Sequence, residues 1–134
     1  MRNGMKLVLA ALVLAFVSCA HAPLHAAEPT LWGGDHVQMQ VTEDGATLDF
    51  DCAHGAITEP LRIAKDGTFL ATGTYGAEHA GPTRRDEPAD PKATFSGTVV
   101  GDAMTLRVVI DGQDPAGLRF QLVRNQPGKV RKCR

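Results

Sequence analysis

The sequence predicts an all-β fold, a single small antiparallel barrel or sandwich of seven to eight strands with one disulfide. From Trp32 onward, apolar and polar residues alternate along short segments, which is the period of a half-buried strand. Turn-forming residues interrupt these segments about every ten residues, and no long helical stripe is present. With 134 residues, the chain has room for one such domain.

The N-terminal residues have the three zones of an export signal. Arg2 and Lys6 form a basic start, Leu7–Val17 is an apolar run, and small residues follow. The apolar run has eleven residues, whereas a helix that crosses a bilayer needs about 20. We therefore predict a signal peptide or lipoprotein leader with a short tether over residues 1–27, and one β domain over residues 28–134.

Two processing routes are compatible with this leader. Phe16-Val17-Ser18-Cys19 resembles a lipoprotein box, in which Cys19 becomes the lipidated first residue and anchors the domain to a membrane. Alternatively, a signal peptidase cuts after Ala26 or Ala27, where small side chains precede the scissile bond. We expect an exported protein, either periplasmic or an outer-membrane lipoprotein, and otherwise secreted.

Cys52 and Cys133 are the cysteines that remain once Cys19 is lipidated or removed. In an oxidising compartment such a pair is expected to form a disulfide. A loop of about 80 residues closed in this way stabilises the fold by about 4 kcal/mol at most in the chain-entropy model. Two free thiols, or a pair of metal ligands, are the alternative.

Alternation and turn residues predict three hairpins and two further segments. The hairpins join Val37–Val41 to Leu48–Cys52, Leu61–Ile63 to Phe69–Tyr75, and Phe95–Val99 to Met104–Ile110, and they are followed by Leu118–Leu122 and Val130–Cys133. A disulfide from the first hairpin to the last segment brings the two ends of the strand series together. We therefore favour a closed barrel, which removes exposed strand edges, although a sandwich could satisfy the same link.

Charge is distributed unevenly between the ends of the predicted domain. Residues 35–59 contain six acidic side chains and no basic ones, and residues 124–134 contain five basic and no acidic ones. The disulfide would place Asp49 and Asp51 beside this basic segment, where opposite charges on neighbouring strands stabilise pairing. A basic tail that binds nucleic acid or anionic lipid is the alternative, but residues 28–134 carry 15 acidic and 12 basic side chains in all, so we predict no nucleic-acid partner.

Residues 76–93 interrupt the strand pattern with three prolines and no large apolar side chain. Loops of this length are either functional or disordered, and both interpretations remain open. Arg84 and Arg85 could capture a carboxylate or phosphate through paired donors, with His79 and Tyr75 nearby. The segment is the best candidate for a binding site.

Residues that could support catalysis are sparse in the predicted domain. Ser96 is its single serine and lies within an alternating strand, which argues against a serine hydrolase. No glycine-rich phosphate loop precedes a helix. His36, Asp51 and His54 are residue types that bind zinc, although their spacing matches no known framework. We predict a protein that is not an enzyme and has no cofactor, with a metal site at these three residues as an alternative.

Three stretches resemble segments of small exported bacterial proteins of unknown function: Leu31–His36, Leu48–Gly55 and Phe95–Val99. The leader, the small barrel and the near-terminal cysteine also resemble, in architecture, periplasmic and membrane-bound lysozyme inhibitors. We expect a non-enzymatic binding or accessory domain of the cell envelope, whose partner is a protein or another envelope component and whose membrane contact is limited to the lipid anchor. The resemblance implies an inhibitor of a lysozyme as one alternative, and a protease inhibitor or a metal-binding protein are the others.

Overall fold

Residues 28–133, which a computed structural model describes, form eight antiparallel strands in one closed barrel. The strands are β1 (Thr30–Gly34), β2 (Val37–Val41), β3 (Ala46–Phe50), β4 (Ala53–Ile57), β5 (Thr68–Ala77), β6 (Lys92–Val100), β7 (Ala103–Ile110) and β8 (Leu118–Arg124). Among these residues, no helix is long and apolar enough to span a membrane. The all-β prediction and the preference for a barrel are confirmed, while the predictions for the leader and for Cys19 lie outside the described residues.

The barrel closes where β8 returns to β1. Trp32 pairs with Arg124, and Gly33 pairs with Val123. The Arg124 guanidinium carbon also lies 4.4 Å from the centre of the buried Trp32 ring, a cation–π contact across the junction. Because the first and last strands pair, neither leaves a free edge for another chain to join.

The barrel interior is filled by apolar side chains from alternate strand positions. Phe50, Phe95, Met39 and Leu106 are among those with almost no solvent exposure. The interior of an eight-stranded barrel is narrow enough for side chains to fill it, so large rings require small residues opposite them. A Cβ on Gly55 would lie 3.2 Å from the Phe50 ring and 3.4 Å from the Phe95 ring.

The second predicted hairpin is wrong in one of its strands. Phe69–Tyr75 lies within β5 as predicted, but its partner is β4, and Leu61–Ile63 lies in the connection between these two strands. The sequence of β4, Ala-His-Gly-Ala-Ile, has low strand propensity because alanine and glycine are depleted in strands. Gly55 faces the Phe50 and Phe95 rings inside the barrel, and Ala53 is buried in the core, so tertiary packing overrides local propensity.

The two other predicted hairpins and the strand after them are confirmed, and the last predicted segment is wrong. The first predicted hairpin is β2 with β3, and the third is β6 with β7. Leu118–Leu122 belongs to β8. The last segment, 130–133, forms no strand of the barrel, and β8 closes the barrel instead.

The up-and-down order of the strands gives the barrel two different ends. We call one the loop end, and it carries residues 35–36, 51–52, 78–91 and 111–117, which connect β1 to β2, β3 to β4, β5 to β6 and β7 to β8. The opposite end carries residues 42–45, 58–67 and 101–102 and the start of β1. The longest connection, residues 78–91, therefore lies over the loop end.

Residues 125–133, the C-terminal segment, cross the outside of the barrel from the opposite end to the loop end. The Asn125 N–H donates to the Leu31 carbonyl at 2.7 Å, and the Lys129 N–H donates to the Gly34 carbonyl at 3.0 Å. Glycine at position 33 allows this close approach, because a Cβ there would lie 2.3 Å from the carbonyl oxygen of Gln126. The segment thus covers β1 and delivers its basic residues to the loop end.

Cys52 and Cys133 form the predicted disulfide, with their Cα atoms 4.8 Å apart and a sequence separation of 81. Cys52 lies in the β3–β4 turn with a positive φ of 52°. Its N–H donates to the Arg131 carbonyl at 2.9 Å, so a backbone hydrogen bond reinforces the covalent link. A disulfide is compatible with the predicted export.

Reduction of the disulfide should lower the melting temperature by about 10 °C or more, since removing such a link typically costs about 2–5 kcal/mol. Thermal unfolding by circular dichroism, with and without reductant, measures this. The double variant Cys52→Ala with Cys133→Ala is the matched control, because its melting temperature should already be low and should not respond to reductant. An unchanged melting temperature on complete reduction of the wild-type domain would show that the link does not stabilise the fold.

Candidate functional site

The connection between β5 and β6, which we call the rim loop (residues 78–91), is fixed to the barrel at both ends. It is shorter than the predicted loop over 76–93, because the flanking residues belong to the strands. The Glu78 N–H donates to the Cys52 carbonyl at 2.8 Å, and the Tyr75 N–H donates to the Pro91 carbonyl at 3.0 Å. These bonds place the loop beside the disulfide.

A cleft of about 530 Å³ lies between the rim loop, β4 and the disulfide. Its charged and titratable side chains are His54, Glu78, His79, Arg84, Glu87 and Asp90. Five of these come from the rim loop, and His54 comes from β4. The segment that the sequence singled out thus forms most of the wall of a polar cleft.

Two carboxylates of the cleft are paired with cationic or basic side chains that lie outside the rim loop. The Lys132 ammonium contacts the Glu78 carboxylate at 2.9 Å and the Asp49 carboxylate at 2.7 Å. Partial burial works to lower the pKa of Lys132, but its hydrogen bonds to these two carboxylates outweigh burial and raise the pKa. The His54 Nε2 lies 2.8 Å from the Asp90 carboxylate. The predicted attraction between Asp49 and the basic segment is therefore present.

The third carboxylate of the cleft, Glu87, is paired with His79 inside the rim loop. The His79 Nε2 lies 2.9 Å from Glu87 Oε1, and its Nδ1 lies 3.2 Å from the Ala80 carbonyl oxygen. The Ala80 carbonyl, and then the Glu87 carboxylate, raise the pKa of His79 above its ordinary value. Glu87 Oε1 also accepts a hydrogen bond from the Arg84 N–H at 3.2 Å.

Arg84 and Arg85 differ in their relation to the cleft. Arg84 lines it, whereas Arg85 is exposed in the turn that follows and is not part of the wall. Within residues 28–133, the Arg84 guanidinium has no hydrogen bond or ion pair, although its backbone bonds to Glu87. Arg84 is thus the charged side chain of the cleft wall whose donors are free to bind a ligand.

Tyr75, also predicted to belong to the binding site, packs inside the barrel mouth instead of lining the cleft. Its ring centroid lies 5.2 Å from that of Phe50, and Phe50 lies 5.1 Å from Phe120. Burial raises the pKa of the Tyr75 hydroxyl above its ordinary value. The three rings close the interior at the loop end, which gives Tyr75 a packing role beneath the rim loop.

His36 and Asp51 form a separate pair on the same end of the barrel. The His36 Nδ1 lies 2.5 Å from Asp51 Oδ2, and the Arg131 N–H donates to Asp51 Oδ1 at 2.7 Å. The Arg131 backbone bond, followed by the His36 hydrogen bond, lowers the pKa of Asp51. Together with Lys129 and Val130 they border a shallow depression of about 290 Å³.

The three residues of the predicted metal site are not gathered around one point. His36 and Asp51 pair with each other, while His54 pairs with Asp90 across the other cleft. Across residues 28–133, no group of three or more histidine, cysteine, aspartate or glutamate side chains is placed to hold a metal ion. The arrangement instead gives each of these histidines a carboxylate partner.

Asp90 and Lys132 are site residues that the sequence reasoning did not select. Asp90 meets His54 because of the register between β4 and β5 and the path of the rim loop, and no local pattern encodes that register. Lys132 was expected near Asp49, but its second contact with Glu78 depends on where the rim loop folds back.

Comparisons with protein-family models, with curated proteins and with solved structures find no match to this chain. The resemblance to small exported proteins and to lysozyme inhibitors therefore stays a prediction. The cleft and its free arginine are the observations from which a function can be inferred.

Asp51→Asn should lower the melting temperature near neutral pH, because the carboxylate that binds His36 and the Arg131 N–H loses its charge. Since the pKa of Asp51 is lowered in the fold, its contribution is present above the ordinary value of 3.8 and is lost as the pH falls through the folded value. Melting temperatures of wild type and variant should therefore converge in acid. Asp44→Asn, in an exposed turn at the opposite end, is the control, and a constant difference at every pH would contradict this role.

Proposed function

We propose that this chain is a non-enzymatic binding domain of the bacterial cell envelope that holds an acidic group of its partner at the cleft beside Arg84. The observation that carries the proposal is the free guanidinium of Arg84 on the wall of a cleft. Arginine donors match carboxylate and phosphate oxygens in pairs, so such a group is the ligand chemistry that this side chain favours. The partner is a protein or another envelope component that displays one of these groups.

The charge balance of the cleft supports an acidic ligand when its two histidines are protonated. Glu78 contacts the Lys132 ammonium, and Asp90 contacts His54, which offsets the charge of that carboxylate only when its ring is protonated. Glu87 contacts His79 in the same way. The remaining positive charge of Arg84 is thus the one that lacks a counter-charge within the described cleft.

The filled interior of the barrel supports binding at its surface. The buried positions of the strands are occupied by residues such as Phe50, Phe95 and Leu106, which leave the lumen to side chains. A ligand must therefore contact an end or the outer wall. The loop end offers a polar cleft of about 530 Å³, and its walls are fixed by the disulfide and by Lys132.

A fixed wall favours affinity, because a partner does not have to order it on binding. The rim loop is connected to β4 by the Asp90–His54 pair and to the C-terminal segment by the Glu78–Lys132 pair. Holding a binding loop in one conformation lowers the entropy cost of association. The loop also contains three prolines, which restrict its backbone further.

Mapping by nuclear magnetic resonance tests which end binds. The labelled domain would be titrated with soluble peptidoglycan fragments, with anionic phospholipid vesicles and with a purified lysozyme, and amide shifts would be assigned. The proposal requires that a binding probe shift residues of the rim loop and the start of β4. Shifts confined to 42–45 and 58–67, at the opposite end, or no shifts with any acidic probe, would refute it.

Arg84→Ala should weaken binding of the probe found in that titration by about tenfold or more, since hydrogen bonds to charged groups contribute about 1.5–3 kcal/mol. The matched control is Arg62→Ala, because Arg62 is an exposed arginine at the opposite end of the barrel. Both variants should keep the wild-type melting temperature, since exposed side chains contribute little to stability. Isothermal titration calorimetry measures the affinities, and an equal loss in both variants would point to a general charge effect.

An inhibitor of a protease is the second candidate, and the exposed Arg84-Arg85 pair favours it. A loop fixed at both ends that presents arginine is complementary to proteases whose specificity pocket carries an acidic residue. Such an inhibitor would suppress a trypsin-class protease at one molecule per enzyme and would remain intact. Rapid cleavage after Arg84 or Arg85 without inhibition would exclude this role.

A further inference from the structure

We propose that His79 acts as a proton-controlled clasp: its protonated ring closes the tip of the rim loop (residues 79–87), and loss of the proton releases that tip. The inference rests on the proposed function, because it assigns a regulation to the surface that carries Arg84. It predicts that the binding surface is ordered in acid and becomes more mobile toward alkaline pH.

The positions of the acceptors around the imidazole carry the inference. Nε2 faces the Glu87 carboxylate at 2.9 Å, and Nδ1 faces the Ala80 carbonyl oxygen at 3.2 Å. A neutral imidazole has one donor and one acceptor, whereas the protonated ring donates from both nitrogens. With two oxygens as partners, only the protonated ring satisfies both contacts.

The Glu87 carboxylate transmits the state of His79 to Arg84. The same Oε1 that contacts the His79 ring also accepts the Arg84 N–H at 3.2 Å. The return bond, from the Glu87 N–H to the Arg84 carbonyl, is long at 3.3 Å. If the carboxylate leaves, this weak bond is the remaining hydrogen bond that holds the turn at Arg84 among the described residues.

The other charged groups of the cleft hold the two ends of the rim loop in place. The tip between these ends is held by the His79 clasp. Glu78 contacts Lys132 of the C-terminal segment, and Asp90 contacts His54 of β4. Arg84 also faces the cleft from the loop itself, where its charge opposes protonation of a neighbouring histidine. Release of His79 therefore frees the tip, while the lysine contact still ties the start of the loop to the barrel.

The direction of the pH effect follows from the pKa of His79, which the Ala80 carbonyl and the Glu87 carboxylate raise above its ordinary value of 6.5. A raised pKa means that the closed tip binds the proton more tightly than the open tip does. The clasp is thus fully closed below the ordinary value and opens as the pH rises through the raised value. The change falls in the range where histidine switches operate.

The test uses the labelled domain without any partner. The titration of the His79 ring and the backbone relaxation of residues 80–87 are measured by nuclear magnetic resonance between about pH 5 and about pH 8. We expect a His79 midpoint above 6.5, with loss of order in the tip at the same midpoint. Glu87→Gln should lower that midpoint, and His79→Gln should leave the tip mobile at both extremes.

His36→Gln is the matched control, because His36 also pairs with a carboxylate at the loop end but lies outside the rim loop. This variant should keep the pH response of the tip. A His79 midpoint at or below the ordinary value, or a tip whose order does not change with pH, would overturn the clasp. Because no ligand is present, such a result would leave the proposed function standing, and a failure of Arg84→Ala to weaken binding would leave the clasp standing.

Discussion

The narrow interior of the eight-stranded barrel is the constraint on which the rest of the structure depends. Eight strands enclose a space that side chains can fill, and here rings such as Phe50 and Phe95 fill it against Gly55. Because the lumen is occupied, polar side chains gather on the outer wall and in the connections between strands. The rim loop is the longest of these connections, and it forms most of the wall of the polar cleft at the loop end.

The C-terminal segment contributes both to the closure of the barrel and to the shape of the cleft. It crosses β1, contributes Cys133 to the disulfide and places Lys132 between Asp49 on β3 and Glu78 on the rim loop. Lys132 therefore fixes the position of the rim loop through Glu78, which precedes it by 54 positions in the chain. Damage to this attachment would alter both stability and the cleft.

The sequence was sufficient for features that depend on local pattern or on simple chemistry. Alternation located β2 and β6, turn residues located their hairpins, and the pairing of Cys52 with Cys133 followed from their number and predicted compartment. It was insufficient for β4, where Gly55 leaves space for the Phe50 and Phe95 rings that it faces. It could not place Tyr75 in the barrel mouth or bring Asp90 to His54, because both results depend on register between distant strands.

The two ends of the barrel differ in chemistry, and the strand order determines at which of them the chain enters the barrel. The loop end carries all the histidines of residues 28–133, each beside a carboxylate. The opposite end exposes apolar side chains such as Ile63, at 46%, and Val100, at 74%. Since β1 starts at that opposite end, the chain enters the barrel there. An N-terminal anchor at Cys19, which stays a prediction, would therefore join the barrel at the end away from the cleft.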